Sequence, residues 1–169
     1  MREALEEIFN IKITDEDLFK KALTHPSFTK ENNLNSLDNY ERLEFFGDAV
    51  LKLAISENLI KKYPKSHEGE LTKIRSILIS DATLSKIAEK INITDLIILG
   101  SHAEKAGERK RSSINACVFE ALLGAFYLDG KQKEIIDFLN DIFEDYISLK
   151  YSKKELEKKY SWFTSRGFN

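Results

Sequence analysis

Apolar residues recur at spacings of three and four along almost the whole chain, the pattern of amphipathic helices. "REALEEIFN" (2–10) opens the series, and "TDEDLFKKALTH" (14–25) follows, with Thr14 or Asp15 as N-cap and Pro26 just past its stop. Residues 30–37, "KENNLNSL", read as a polar loop, and a long helix is predicted from Asp38 to Tyr63, ended by Pro64. After "KSHEGE", a helix from Glu70 to Ile79 carries Leu71, Ile74, Ile77 and Leu78 on its apolar side, and Ser80 or Asp81 caps "ATLSKIAEKIN". "ITDLIILG" (93–100) is the most strand-like stretch, although its Thr94–Asp95 pair could equally cap a short buried helix. Beyond a loop at Gly107, "SSINACVFEALLGAFYLDG" (112–130) is a helix stopped by Gly130, followed by "KQKEIIDFLNDIFEDYISLKY". With no repeat and no strand of convincing alternation, the predicted fold is all-α.

Composition narrows this only a little. A chain of 169 residues, 42% apolar and 32% charged, suits one domain with or without a tail. The single cysteine, Cys117, excludes an internal disulfide and a thiolate zinc cluster, and fits a reducing interior. No apolar run approaches the roughly 18 residues of a membrane span, and the acidic start "MREALEEIF" lacks the order of a secretory signal, so a cytoplasmic protein is expected. Net charge of −2 and a pI near 6.0 do not favour nucleic acid overall. Any such binding must use local patches, and "EKAGERKR" (104–111) and the tail from 150 to 169 are the two that qualify. Read as charge runs alone, both are ordinary solvated surface.

The unusual chemistry lies in "NYERLEFFGDAVLKLAI" (39–55). At about 100° per residue, Glu41, Glu44 and Asp48 share one helix face beside apolar Leu43, Phe46, Val50, Leu53 and Ala54. Like charges at i,i+3 and i,i+4 destabilise an isolated helix, so something must compensate. One reading pairs Glu41 with Arg42 or a nearby lysine and leaves Glu44 and Asp48 hydrated or capped. Gly47 favours another, because mid-helix glycine costs about 1 kcal/mol against alanine and is explained by a second helix packing close at that turn. The helix 112–129 offers Ala116, Glu120 and Gly124 as an i,i+4 stripe, one carboxylate between two small residues. Packed at Gly47, it would bring Glu44, Asp48 and Glu120 together, a set of oxygen ligands suited to Mg²⁺ or Mn²⁺ and to metal-assisted phosphodiester hydrolysis. Without basic neighbours in the sequence, acids so gathered should raise at least one pKa when no metal is bound.

"NYERLEFFGDAVLKL" closely resembles the signature helix of ribonuclease III, the double-stranded-RNA endonuclease, and "KALTHPSF" (21–28), "HEGELTKIRSILIS" (67–80) and "FEALLGAFYLDG" (119–130) match its other characteristic stretches in order. The resemblance covers residues 1–150. It implies an all-helical endonuclease domain forming a two-fold homodimer, with a Mg²⁺ cofactor for which Mn²⁺ is a possible substitute. Double-stranded RNA would be cut to 5′-phosphate and 3′-hydroxyl ends. By position, Glu44, Asp48 and Glu120 match the family's metal-binding acids, Asp48 and Glu120 also its catalytic ones, while Glu41 and Glu68 match acids associated with its dimer-spanning cleft.

Two departures accompany the match. The family usually has an aspartate three residues before the glutamate matched by Glu120, and here that residue is Cys117, a soft sulfur poorly suited to Mg²⁺. Asn115 cannot replace it, since five residues back lies about 140° around the helix. Taken alone, Cys117 reads as a small buried hydrophobe. The alternative function is therefore a catalytically impaired relative that binds RNA or ribonucleoprotein. Second, only the basic tail 151–169 follows the core, which is too short for the family's double-stranded-RNA-binding domain. His25 reads as structural, and His67 and His102 fall in expected loops without a partner at metal spacing. Trp162 and Phe163 anchor the tail or begin a missing segment.

Overall fold

The protein is seen in a computed structural model that describes residues 1–150, so the tail with Trp162 and Phe163 lies outside the described residues. Nine α-helices form among the described residues: α1 (Arg2–Phe9), α2 (Glu16–Leu23), α3 (Pro26–Glu31), α4 (Glu41–Lys62), α5 (Glu68–Leu78), α6 (Asp81–Lys90), α7 (Ser101–Lys105), α8 (Ser112–Leu128) and α9 (Gln132–Lys150). The only pairing of extended backbone described is a parallel bridge between Thr24 and Ile98. The all-α expectation holds. No described helix is long and apolar enough to cross a membrane.

α8 is the axis of the core. Apolar nearly all round, it buries Ile114, Val118, Phe119, Leu122, Leu123 and Phe126, as a helix enclosed by others must. α4 crosses one side of it and α6 lies along another, with α2 and α9 completing the enclosure. Phe126 meets Phe19 edge-on at 4.6 Å between ring centroids and Phe9 at 4.7 Å, tying α1 and α2 to this axis. At its end, Asp129 accepts the backbone N–H groups of Thr14 and Asp15, both at 2.8 Å, and so fixes the entry to α2.

Local chemistry moved several predicted boundaries. Pro26 ends α2 but also opens α3, a helix absent from the sequence reading: proline suits the first helical position, and the His25 ring accepts the Ser27 N–H at 3.0 Å as N-cap. α4 begins at Glu41 rather than Asp38, because Asn39 accepts the Glu41 N–H at 3.0 Å and donates to Ser36 O, closing a turn instead of a helix. "ITDLIILG" divides into a 3₁₀ turn over Ile93–Leu96 and the bridge at Ile98, so each half of the ambiguous reading describes part of it. His102 lies in α7 rather than in a loop, whereas His67 ends the loop before α5 as its N-cap, its backbone N–H donating to the Glu70 carboxylate at 3.3 Å.

Candidate metal centre

The site begins with an absence of side chains. A Cβ on Gly47 of α4 would stand 2.6 Å from the carbonyl carbon of Glu120 and 3.1 Å from the Gly124 nitrogen, and a Cβ on Gly124 would stand 2.5 Å from the Leu43 oxygen. The two helices thus cross in backbone contact at the point that Gly47 and the Ala116–Glu120–Gly124 stripe select. Glu44 and Asp48 flank Gly47 within one turn, and Glu120 lies one turn before Gly124.

This closeness appears in the electrostatics. The Glu120 carboxyl is pushed from 4.5 up to about 8, first by burial, then by the negative charges of Asp48, Glu44 and Asp81, against which the Lys52 ammonium pulls down. Burial also pushes the Cys117 thiol up to about 12, helped by its donation to the Glu44 carboxylate and by the charges of Glu44, Glu120 and Asp81. The buried Tyr40 hydroxyl is raised by burial and by the nearby Cys117, Glu44 and Glu41. One neighbourhood therefore contains Glu44, Asp48, Glu120, Cys117 and a fourth carboxylate, Asp81.

Asp81 was read from the sequence only as a possible helix cap. It is the first residue of α6, with Ser80 as the N-cap, and reaches this neighbourhood because α6 packs along α8. No spacing within α4 or α8 signals it. Lys52 corrects the expectation that the acids have no basic neighbour: its Nζ lies 2.6 Å from Asp48 Oδ2, one turn along α4. Asn115 is buried away from the face of Glu120, and its Oδ1 has no hydrogen-bond partner among the described residues.

The two remaining acids lie elsewhere. Glu68 opens α5, accepts the Thr72 hydroxyl at 2.8 Å and lines a groove with Leu59, Ile60 and Arg75. Glu41 lines an open cavity of about 660 Å³ with Leu18, Leu37, Leu43, Phe45 and Leu128. The basic patch at 104–111 is partly self-neutralised, since Arg109 pairs with Glu104 and Arg111 with Glu108.

Among the described residues, no three His, Cys, Asp or Glu side chains are arranged as a group that could hold a metal ion. Glu44, Asp48 and Asp81 act on Glu120 as like charges, and Lys52 relieves that repulsion only in part. Their chemistry fits a hard divalent cation: the donors are oxygens, and the raised Glu120 records a surplus of negative charge that a cation would relieve. Cys117 fits a hard cation poorly, because its sulfur is a soft donor and burial holds its thiol well above the usual range in the metal-free chain.

Residues 15–146 match the model of a family described as Ribonuclease-III-like. Ribonuclease 3 of Staphylococcus saprophyticus is 43% identical over 138 residues, 82% of this chain and 57% of that protein. Ribonuclease 3 of Pelotomaculum thermopropionicum is 48% identical over 115 residues, 68% of this chain and 48% of that protein. The chain thus spans about half the length of the curated relatives it matches. Among solved structures, the nuclease domain of ribonuclease III from Campylobacter jejuni, described for flexibility in its dimer-forming region, superposes with a TM-score of 0.75 at 34% identity, covering 89% of this chain and 99% of that one. Dicer from Pichia stipitis superposes with a TM-score of 0.62 at 27% identity, covering 82% and 59%.

Proposed function

From the premise that this chain belongs to the ribonuclease III family, we propose that residues 1–150 are an endoribonuclease domain that hydrolyses double-stranded RNA with a divalent metal, Mg²⁺ or in its place Mn²⁺. The observation that supports this reading is the backbone contact of α4 and α8 at the Gly47–Gly124 crossing, close enough for the charges of Glu44 and Asp48 to act on Glu120. These three residues would hold the metal, with Asp48 and Glu120 nearest the chemistry. Bound there, a divalent ion supplies Lewis-acid polarisation of the phosphate and an activated water.

The chain's own part is preparatory. The helix crossing fixes the spacing of the elements that carry the acids, and burial at Glu120 lowers the local dielectric. Cleavage would leave 5′-phosphate and 3′-hydroxyl ends.

The active form proposed is a two-fold homodimer, since one site per subunit allows each strand to be cut. Phe45 supports it, standing 82% exposed at the rim of the cavity that Leu37 and Leu128, themselves 54% and 56% exposed, also line. A large exposed aromatic beside a cavity with both leucine and charged lining suits an isologous interface in which each copy offers both. Glu41, in the same lining, would then lie near the interface.

A second reading, a catalytically impaired RNA- or ribonucleoprotein-binding subunit, is favoured by one observation: the residue at 117 is a neutral thiol, not a fourth inner carboxylate. Incubating long duplex RNA with the protein in Mg²⁺, Mn²⁺ or EDTA separates the two. Metal-dependent cleavage of duplex RNA, with duplex DNA of the same sequence spared, supports the nuclease, and binding without cleavage in either metal supports the alternative.

A further inference from the structure

On one face of α4 stand three acids and then a base, Glu41, Glu44, Asp48 and Lys52, with Arg42 about 100° around the helix. Lys52 reaches back 2.6 Å to Asp48 Oδ2, in the acid-before-base order that favours an i,i+4 pair on a helix. Its charge also reaches Glu120, where it opposes burial and three carboxylates. Other i,i+4 pairs, such as Glu57–Lys61 and Lys133–Asp137, join side chains that take no part in the carboxylate neighbourhood. At Asp48 alone, a lysine covers a carboxylate that a metal would need. Both side chains are part-open, Lys52 50% and Asp48 38% exposed, so the ammonium can leave without any rearrangement of the backbone.

We propose that Lys52 is the resident counter-ion of the carboxylate site: it holds Asp48 in the ion-free protein, and a divalent ion must displace it to load. Lys52 thereby sets the concentration at which the site fills. The consequence is cumulative with Cys117, since a neutral thiol at 117 and an ammonium at 52 both make the pocket less negative and so less attractive to a dication. The inference rests on the metal-site reading above, deepening it by naming the competitor.

The test is titration of the full chain with Mn²⁺ alone, read as the rise in melting temperature and as loss of the free Mn²⁺ signal in electron paramagnetic resonance. Lys52→Met should lower the half-saturating Mn²⁺ by about two- to fivefold, the size of an exposed ion pair. Lys52→Arg, which keeps the charge, should return it to the wild-type value. Asp48→Asn serves as the control and should weaken binding severely. If Asp48→Asn weakens binding but Lys52→Met does not tighten it, the pair is ordinary surface and the inference falls while the metal site stands. If Asp48→Asn binds like wild type, the metal-site reading itself fails, and this inference with it.

Discussion

Gly47 and Gly124 bring α4 and α8 so close that neither position has room for a methyl group: the Cβ of an alanine at Gly47 would lie 2.6 Å from the Glu120 carbonyl carbon, and one at Gly124 2.5 Å from the Leu43 oxygen. The obstructing atoms are backbone, which cannot swing aside. Gly47→Ala should therefore destabilise the protein by about 3 kcal/mol or more, despite alanine's better helix propensity of about 1 kcal/mol. Urea denaturation would measure it, and a neutral or stabilised variant would contradict the crossing on which the site depends.

That crossing was legible in the sequence because a glycine in mid-helix needs a cause and a stripe with one carboxylate between small residues supplies it. Asp81 was not legible. Its approach depends on how α6 packs along α8, a relation that no single helix's periodicity contains. α3 escaped because Pro26 acts twice, stopping one helix and starting the next. Lys52 is legible at i+4 from Asp48, where the ordinary helix pairing rule sets a base beside the acidic stripe.

Without metal, the pH dependence of stability should carry the mark of Glu120. Its carboxyl is raised from 4.5 to about 8 on folding, so the folded chain retains a proton that the unfolded chain releases. That contribution is fully present below about pH 4.5 and is lost as pH rises through about 8. The difference in melting temperature between wild type and Glu120→Gln, in EDTA, should therefore move against the wild type between pH 5 and about pH 8.5. Saturating Mn²⁺ should remove much of that slope, since a bound cation keeps the carboxylate ionised without penalty. A pH-independent difference in EDTA would mean that Glu120 is not held among like charges.

Cys117→Asp should put a further carboxylate against Glu44, Glu120 and Asp81. The metal-free variant should melt lower by the amount expected for added repulsion in a half-buried site, and Mg²⁺ should restore it more than it does the wild type. Cleavage of duplex RNA in Mg²⁺ should rise, and Asp48→Asn in the same chain should abolish the gain. A variant that melts low, gains nothing from metal and does not cleave would place position 117 outside the metal's reach.

Phe45→Ala should shift an isologous dimer toward monomer, because the large exposed aromatic that each copy would bury against its partner is lost. Sedimentation at micromolar concentration would read the change, while the folded state should survive, as the residue is exposed in the single chain. A wild type that sediments as a monomer would contradict the proposed dimer.

The central claim is that one divalent ion is held where α4 crosses α8, and anomalous diffraction from crystals soaked in Mn²⁺ tests it most directly. The prediction is a single strong peak between the carboxylates of Glu44, Asp48 and Glu120, at oxygen distances of about 2.0–2.2 Å, with the Cys117 sulfur outside the coordination shell. A peak elsewhere on the molecule, or none at this crossing under saturating Mn²⁺, would contradict it.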